Sequence, residues 1–339
     1  MNSPTEDLAG ADTLAALAQL TQAIQIESDQ AFTFQGRLVS LHNGLAPSLY
    51  PTAQPLVTLL RDQLYEHAFI RTFKSPNAPA APPPVANFAH LLSQANQGRE
   101  RWYEGWRIEK VLQGGQVRAE KHGLRRTLWP GEYVLRDGSA MAPRVHAQLS
   151  VFQARESHAL QSGFYFAYGE AVADEQDESH LLRFYWNVTA AGAPLLLANL
   201  TRILNRFGLP FKFKCLNAAE QFVRLDAAVL YVNRRFDWIV RALLDDVIGD
   251  LGHAHLGRAT PLFTLPVRPG VALAEDPMGG ESFGMNRCRI VAEGLWEAHL
   301  EHLNAPDQRL ARVVAQFERY GLSLRHPHRN ASSTFVDGH

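Results

Sequence analysis

Arg183, Tyr185 and Asn187 on one short run, and Lys212 and Lys214 on another, are the residues whose types and spacing could do chemistry. In Arg183-Phe184-Tyr185-Trp186-Asn187 and Phe211-Lys212-Phe213-Lys214-Cys215, large apolar residues alternate with polar ones. Successive side chains on a strand point to opposite faces. Leu182, Phe184, Trp186 and Val188 therefore share one face, as do Phe211, Phe213 and Cys215 in the second run. That face is core. The opposite face carries three cations, a phenol and an amide, the equipment for gripping an anion. The solvated outer face of an antiparallel sheet alternates in the same way, and the repeat of cations over two runs brings the two readings level.

A second constellation is the stretch from Glu275 to Arg289, a Gly-rich acidic loop entering a helix. Ser282 suits the N-cap. A helix start with free N–H groups, followed by Asn286, Arg287 and Arg289, is a natural phosphate cradle; a capped helix with surface arginines fits the same residues. The 14 histidines include the pairs His253/His255 and His326/His328, but i, i+2 spacing lacks the pattern of a helical zinc pair. No metal site is expected. Cys215 reads as a packed strand residue and Cys288 as a small residue near a helix start. Phosphate-loop, dinucleotide and nucleophile-elbow signatures are absent.

The elements that must position these groups follow from pattern. The chain has 339 residues, 46% hydrophobic and 20% charged, enough to bury a sizeable core. Lys and Arg total 33 against 34 acidic residues, so the net charge is -1 and no whole-molecule field draws it to nucleic acid or a membrane. Any anion site must be local. Two cysteines exclude a disulfide framework and favour a reducing compartment. No run of apolar residues is long enough to span a bilayer, and Met1 to Gly10 lacks the marks of a cleaved signal peptide. The expected location is the cytoplasm, or export by a system that reads no cleaved leader.

Residues 1–75 read as helical, from Leu14, Leu17, Leu20 and Ile24 and from Leu56, Leu59, Leu60, Leu64 and Phe69. Residues 76–86 read as a Pro/Ala-rich linker. Residues 87–143 read as a small β-rich subdomain with strands over Trp102–Val111, Gln116–Lys121 and Thr127–Leu135, its aromatics serving as core. From 144 to 330 an α+β domain is expected, with a mixed or mostly antiparallel sheet and helices on one face. Its strands are placed at Phe164–Tyr168, Leu181–Val188, Phe211–Leu216, Ala227–Val232 and Leu262–Val267. Its helices are placed at Ala193–Phe207, Phe236–Leu251, Gly284–His302 and Asp307–Tyr320. Residues 331–339 read as a disordered tail.

Arg183 to Asn187, Pro210 to Leu216, Gly270 to Pro277 and Glu281 to Cys288, in that order, resemble the HopA-type type III secretion effector family. Ala95 to Arg99 with Gly105-Trp106, and Ser162 to Tyr165, are similar to it as well, so the likeness covers about residues 40 to 330. The resemblance implies more than effectors. Some homologues pair with a small kinase in lanthionine-type or thioamide-type peptide pathways, where the family behaves as a phosphoserine/phosphothreonine lyase. The implied partners are a phosphorylated peptide or protein and a kinase or phosphotransferase. Two departures stand out: Leu265 where many relatives carry lysine, and Pro327-His328-Arg329-Asn330 where many carry a Pro-Tyr-Leu-Asn-like motif.

Elimination from phosphothreonine needs a base for the Cα proton, donors for the enolate oxygen, and cations or an acid for the leaving phosphate; it needs no cofactor. Under the resemblance, Lys214 is the candidate base. Arg183 and Arg287 are assigned to phosphate, with Lys212 and Arg289 as weaker candidates. Tyr185 and Tyr231 are candidate proton donors or enolate stabilisers, and Asn187 and Asn286 orient the substrate. A non-enzymatic effector module that binds a phosphorylated partner is the alternative. The shared expectation is that Arg183, Lys214 and Arg287 converge on one pocket.

Overall fold

The structure is a computed structural model that describes residues 4–43, 52–73, 80–136, 142–277, 279–331 and 333–334. The N-terminal helical pattern forms α1 (Pro4–Ala23), with Leu17 and Leu20 buried. The helical reading of 1–75 then fails over a small antiparallel sheet, β1 (Ile24–Ile26), β2 (Ala31–Phe34) and β3 (Arg37–Ser40). Gln35 and Gly36 join β2 to β3 at φ of 52° and 74°. Two positive φ values in succession are what a tight hairpin turn requires. Helix α2 (Pro55–Leu64) starts on a proline, which suits the first helical position, and runs into one π-helical turn, Tyr65–Phe69.

Residues 80–85 of the expected linker carry neither helix nor strand; 76–79 and most of the expected tail lie outside the described residues. After α3 (Phe88–Ala95) comes a five-stranded antiparallel sheet. Its strands are β4 (Arg101–Val111), β5 (Val117–Lys121), β6 (Leu124–Leu128), β7 (Tyr133–Leu135) and β8 (Gln148–Gln153), in the order β6-β5-β4-β8-β7. Trp106, Ile108, Val117, Ala119, Leu128, Leu149 and Val151 form its core. The sheet continues past the expected break at 143, because Leu149 and Val151 alternate inward on β8. Trp106 is core as expected, whereas Trp102 and Trp129 are exposed.

The last sheet has seven strands: β9 (Glu156–Ser157), β10 (Phe164–Tyr168), β11 (Leu181–Trp186), β12 (Lys212–Leu216), β13 (Ala228–Asn233), β14 (Leu265–Arg268) and β15 (Val271–Glu275). Their order is β14-β15-β11-β13-β12-β10-β9, and every neighbouring pair is antiparallel. The β14–β15 pairing was not read from the sequence beyond a strand at Leu262–Val267. Four helices complete the chain: α4 (Ala193–Arg206), α5 (Asp237–Leu251), α6 (Phe283–Leu300) and α7 (Pro306–Arg319).

One face of this sheet packs Leu182, Phe184, Trp186, Phe213, Leu230 and Leu273 against α4 and α5. Each such side chain contributes about 1.5–3 kcal/mol on burial. The grouping of helices on one face holds for α4 and α5. The other face is covered too: Tyr185, Val229 and Ala274 lie in a second core with residues of α2, the π turn, α6 and α7. The N-terminal helical region therefore packs back onto the sheet it was expected only to precede. The fold class is α+β.

Candidate functional site

Strands β11 and β12 are not neighbours; β13 lies between them. Register nonetheless aligns their polar residues. Arg183, Tyr231 and Lys212 are directly opposite one another across the three strands, and Tyr185, Val229 and Lys214 form the next row. Residues paired directly across antiparallel strands point to the same face. The face holds Arg183, Tyr231, Lys212 and Lys214 at the margin of the layer made by α2 and α6.

The cations are held differently. Arg183 is ion-paired with Asp276, which follows β15. Its guanidinium lies 5.3 Å from the centre of the Tyr231 ring, and Lys212 Nζ lies 4.7 Å from the same ring. Lys214 Nζ lies 3.7 Å over the Phe164 ring. Both lysines are half-buried, and among the described residues neither has a carboxylate within ion-pair distance. The aromatic faces offset part of the lost hydration. With Lys212 and Lys214 two residues apart, their Cα atoms are separated by about 7 Å along the strand, and the amines lean to opposite sides, Lys212 toward Tyr231 on β13 and Lys214 toward Phe164 on β10.

Burial lowers the pKa of Lys214 to about 8; the charges of Arg183, Arg224 and Lys212 push the same way, and Asp226 opposes them. Burial likewise lowers Lys212, with Asp276 opposing. Burial raises Tyr185 and Tyr231, so both phenols stay protonated at neutral pH. Behind Lys214, Arg224 donates to both carboxylate oxygens of Asp226 at 2.8 and 2.9 Å, and Tyr65 donates to Asp226 Oδ2 at 3.2 Å.

Other expected site residues go elsewhere. Arg287 is fully buried and donates to the carbonyls of Pro327 at 2.9 Å and Arg329 at 2.6 Å, and to Asn286 Oδ1 at 2.6 Å. It approaches Tyr185 through the Phe283 ring, 4.7 Å from its guanidinium. Burial brings its pKa down to about 10. Its hydrogen bonds are spent on holding the 327–329 segment. Arg289 pairs with Glu281 at 3.1 Å and Glu293 at 2.7 Å and meets the Tyr320 hydroxyl at 3.1 Å, between α6 and α7. Asn286 donates to Glu281 at 3.2 Å, and Asn187 donates to the Ala259 carbonyl at 2.9 Å. Of the three residues expected to converge on one pocket, Arg183 and Lys214 share a sheet face with Tyr231 and Lys212, and Arg287 does not join them; Arg287, Arg289, Asn187 and Asn286 lie in framework contacts.

The Gly-rich helix start is capped as expected, Ser282 Oγ accepting from the Met285 N–H at 3.3 Å. Gly284 has a steric reason: a Cβ there would stand 2.4 Å from the Phe69 ring. Leu265 is buried on the α4–α5 side, opposite Leu273, so a lysine there would point away from Lys214. In the second departure, Asn330 does the anchoring: its N–H donates to Glu275 at 2.6 Å and its side chain to the Asp276 carbonyl at 2.8 Å. Sequence reasoning missed Tyr65, Phe164, Arg224, Asp226 and Asp276. Phe164 and Asp276 lay in quoted motifs without being assigned to the site, and Arg224-Leu225-Asp226 shows at most a charge pair two residues apart.

The model of the HopA1 effector protein family matches residues 155–329, a little over half of the chain. The chain belongs to this family. The matched stretch of this HopA1-family chain contains every residue of the polar face. Among solved structures, it is similar to the effector protein from Pseudomonas syringae pv. tomato strain DC3000, at 16% identity and a TM-score of 0.49, over 95% of this chain and 99% of that one. It is also similar to the effector protein from Pseudomonas syringae pv. syringae strain 61, at 15% identity and a TM-score of 0.43, over 81% and 98%. No curated protein matches the chain. Among the described residues, no helix is long and apolar enough to cross a membrane.

Proposed function

We propose that this HopA1-family protein eliminates phosphate from phosphothreonine or phosphoserine in a peptide or protein, leaving a dehydroamino acid. The observation that carries the reading is the pair Lys212 and Lys214: two half-buried amines on one strand face, free of carboxylate partners, beside Arg183. The chain has only five lysines, Lys74, Lys110, Lys121, Lys212 and Lys214, among its 33 basic residues. Arginine supplies charge nearly everywhere else. Lysine differs in that its pKa shifts readily on burial, which suits it to proton transfer.

In this reading the Lys214 amine takes the Cα proton. The carbanion pair forms the Cα–Cβ double bond as the Cβ–O bond breaks, and that bonding pair leaves on phosphate. Lys212 and Arg183 hold the phosphate charge. Tyr231, standing between them and protonated, gives its proton to the departing oxygen, so hydrogen phosphate is released. The Lys214 ammonium returns a proton to Tyr231 through solvent, which resets both groups. Bound phosphate dianion raises the Lys214 pKa, and Lys212 with Arg183 offsets that field. Tyr185 sits against Arg183 and steadies it. No cofactor enters the step, and a Ser/Thr kinase is the class of enzyme that must supply the substrate.

Mass spectrometry of a phosphothreonine peptide incubated with the protein tests this directly. The expected product is the dehydro residue plus inorganic phosphate. A product with its hydroxyl restored would mean hydrolysis and would overturn the proposal. The engagement of Arg287 and Arg289 elsewhere favours one second reading, a non-catalytic module that docks a phosphorylated partner on the same lysines. An intact peptide that nonetheless binds would select it.

A further inference from the structure

We infer that Arg224 is a positioning residue for Lys214: by occupying both carboxylate oxygens of Asp226, it keeps that carboxylate off the amine and leaves Lys214 free to meet substrate. The inference deepens the lyase reading, on which its functional consequence rests. Asp226 is buried, and its oxygens accept Arg224 Nε, Arg224 Nη2 and the Tyr65 hydroxyl. Arg224 Nη2 also donates to the Tyr65 hydroxyl at 3.0 Å, which closes a three-residue ring. The loop that carries Arg224 and Asp226 is fixed at its middle, where the Leu225 N–H donates to the Ile70 carbonyl at 2.8 Å, just past the π turn that supplies Tyr65. Two-pronged pairing of this kind is geometrically specific to the guanidinium fork.

Lys214 faces groups from every element around it. They are Arg183 and Tyr185 on β11, Lys212 on β12, the Phe164 ring on β10, Val229 across on β13, and Arg224 with Asp226 on the loop before β13. Asp226 is the anion that acts on Lys214 most strongly, and burial with the surrounding cations works against it. A buried carboxylate stripped of its arginine needs another cation. Lys214, with a flexible four-carbon stem, is the available one. An amine locked onto Asp226 would be charged and turned from the substrate.

The test reads Lys214 itself. With five lysines in the chain, the protein labelled at lysine Cε and Nζ gives few resonances, and Lys214→Met assigns the one of interest. Arg224→Gln is expected to raise the Lys214 titration midpoint by about one pH unit or more. Arg224→Gln combined with Asp226→Asn removes both charges and should return the midpoint close to that of the native chain. Arg224→Lys, which keeps the charge but loses the fork, should fall between. If Arg224→Gln does not fold, the double variant and Arg224→Lys still decide. An unmoved midpoint in a folded Arg224 variant, or a double variant that stays high, overturns the inference whatever the activity. Midpoints that move as expected in a protein that leaves phosphothreonine peptides intact would uphold the positioning of Lys214 and refute the lyase reading alone.

Discussion

On the α4–α5 side of the seven-stranded sheet, strands β11, β12 and β13 present Leu182, Phe184, Trp186, Phe213, Cys215, Ala228, Leu230 and Val232, all buried. On the α2–α6 side the same strands present Arg183, Tyr185, Lys212, Lys214, Val229 and Tyr231. The first face is what a sheet needs in order to fold. The second gives up part of that return: two half-buried amines without carboxylates cost stability, and an arginine fork is spent on restraining one aspartate. A group that destabilises its own fold at the edge of a packed layer is a candidate for a functional site. The two faces should therefore answer mutation in opposite ways.

Lys214→Met is the sharpest test of that contrast. Loss of a general base costs on the order of 10²–10⁴-fold in turnover, measured by release of phosphate from a phosphothreonine peptide. The same change should raise stability at pH 7 by about 1–3 kcal/mol, since one pKa unit corresponds to about 1.4 kcal/mol and the side chain is only partly shielded. The sign follows from linkage. The folded-state pKa, about 8, is below the ordinary lysine value of 10.5, so the charged amine penalises the native state below pH 8. The penalty fades as pH rises from about 8 to 10.5, and the stability advantage of the methionine variant in urea should fade over that window. For the native chain, kcat/KM should climb with pH and level off above about 8. A methionine variant that loses stability, or a flat profile, would break the comparison.

Phe213→Ala, one residue from each lysine but on the opposite face, should do the reverse. It opens a cavity under α4 and α5 and should cost about 3–5 kcal/mol, read from urea unfolding. In the fraction that remains folded, turnover should survive.

Arg287→Met lies between these extremes. It leaves the Pro327 and Arg329 carbonyls without their buried donor, at about 1–3 kcal/mol. The segment it holds carries Asn330, which anchors the Asp276 end of the site. Stability should therefore fall by that amount, while phosphopeptide KM should rise less than in Lys212→Met. A larger KM effect from Arg287 would return it to the phosphate site.

The strand runs and helices of the α+β domain were legible because alternation and helical spacing write themselves locally: Phe164–Tyr168 coincides with β10, and Ala193–Phe207 with α4 to within a residue. The polar face was legible for the same reason. The contents of its surroundings were not. Tyr65 comes from the N-terminal region and Asp226 from a loop 161 residues away, and only the folding of α2 and the π turn onto the sheet brings them together. Arg287 was misplaced because an arginine in the first turns of a helix looks alike in sequence whether it meets a ligand or, as here, two carbonyls some 40 residues on. The β2–β3 hairpin was overlooked because Gln-Gly is a weaker turn signal than Asn-Gly or Asp-Gly.

The smallest effect is expected at Arg289. Its guanidinium meets Glu281, Glu293 and the Tyr320 hydroxyl in a half-buried cluster between α6 and α7. Such partly solvated pairs contribute modestly, because water still screens part of the attraction and long side chains must be ordered to form them. Arg289→Gln should cost about 1 kcal/mol in urea unfolding, with the difference shrinking somewhat as salt is added. Its phosphopeptide KM should stay near that of the native chain, in contrast to Lys212→Met, which removes one of the two free amines. A KM raised by Arg289→Gln as much as by Lys212→Met would mean that phosphate reaches the start of α6, and would move the boundary of the working face from β12 to that helix.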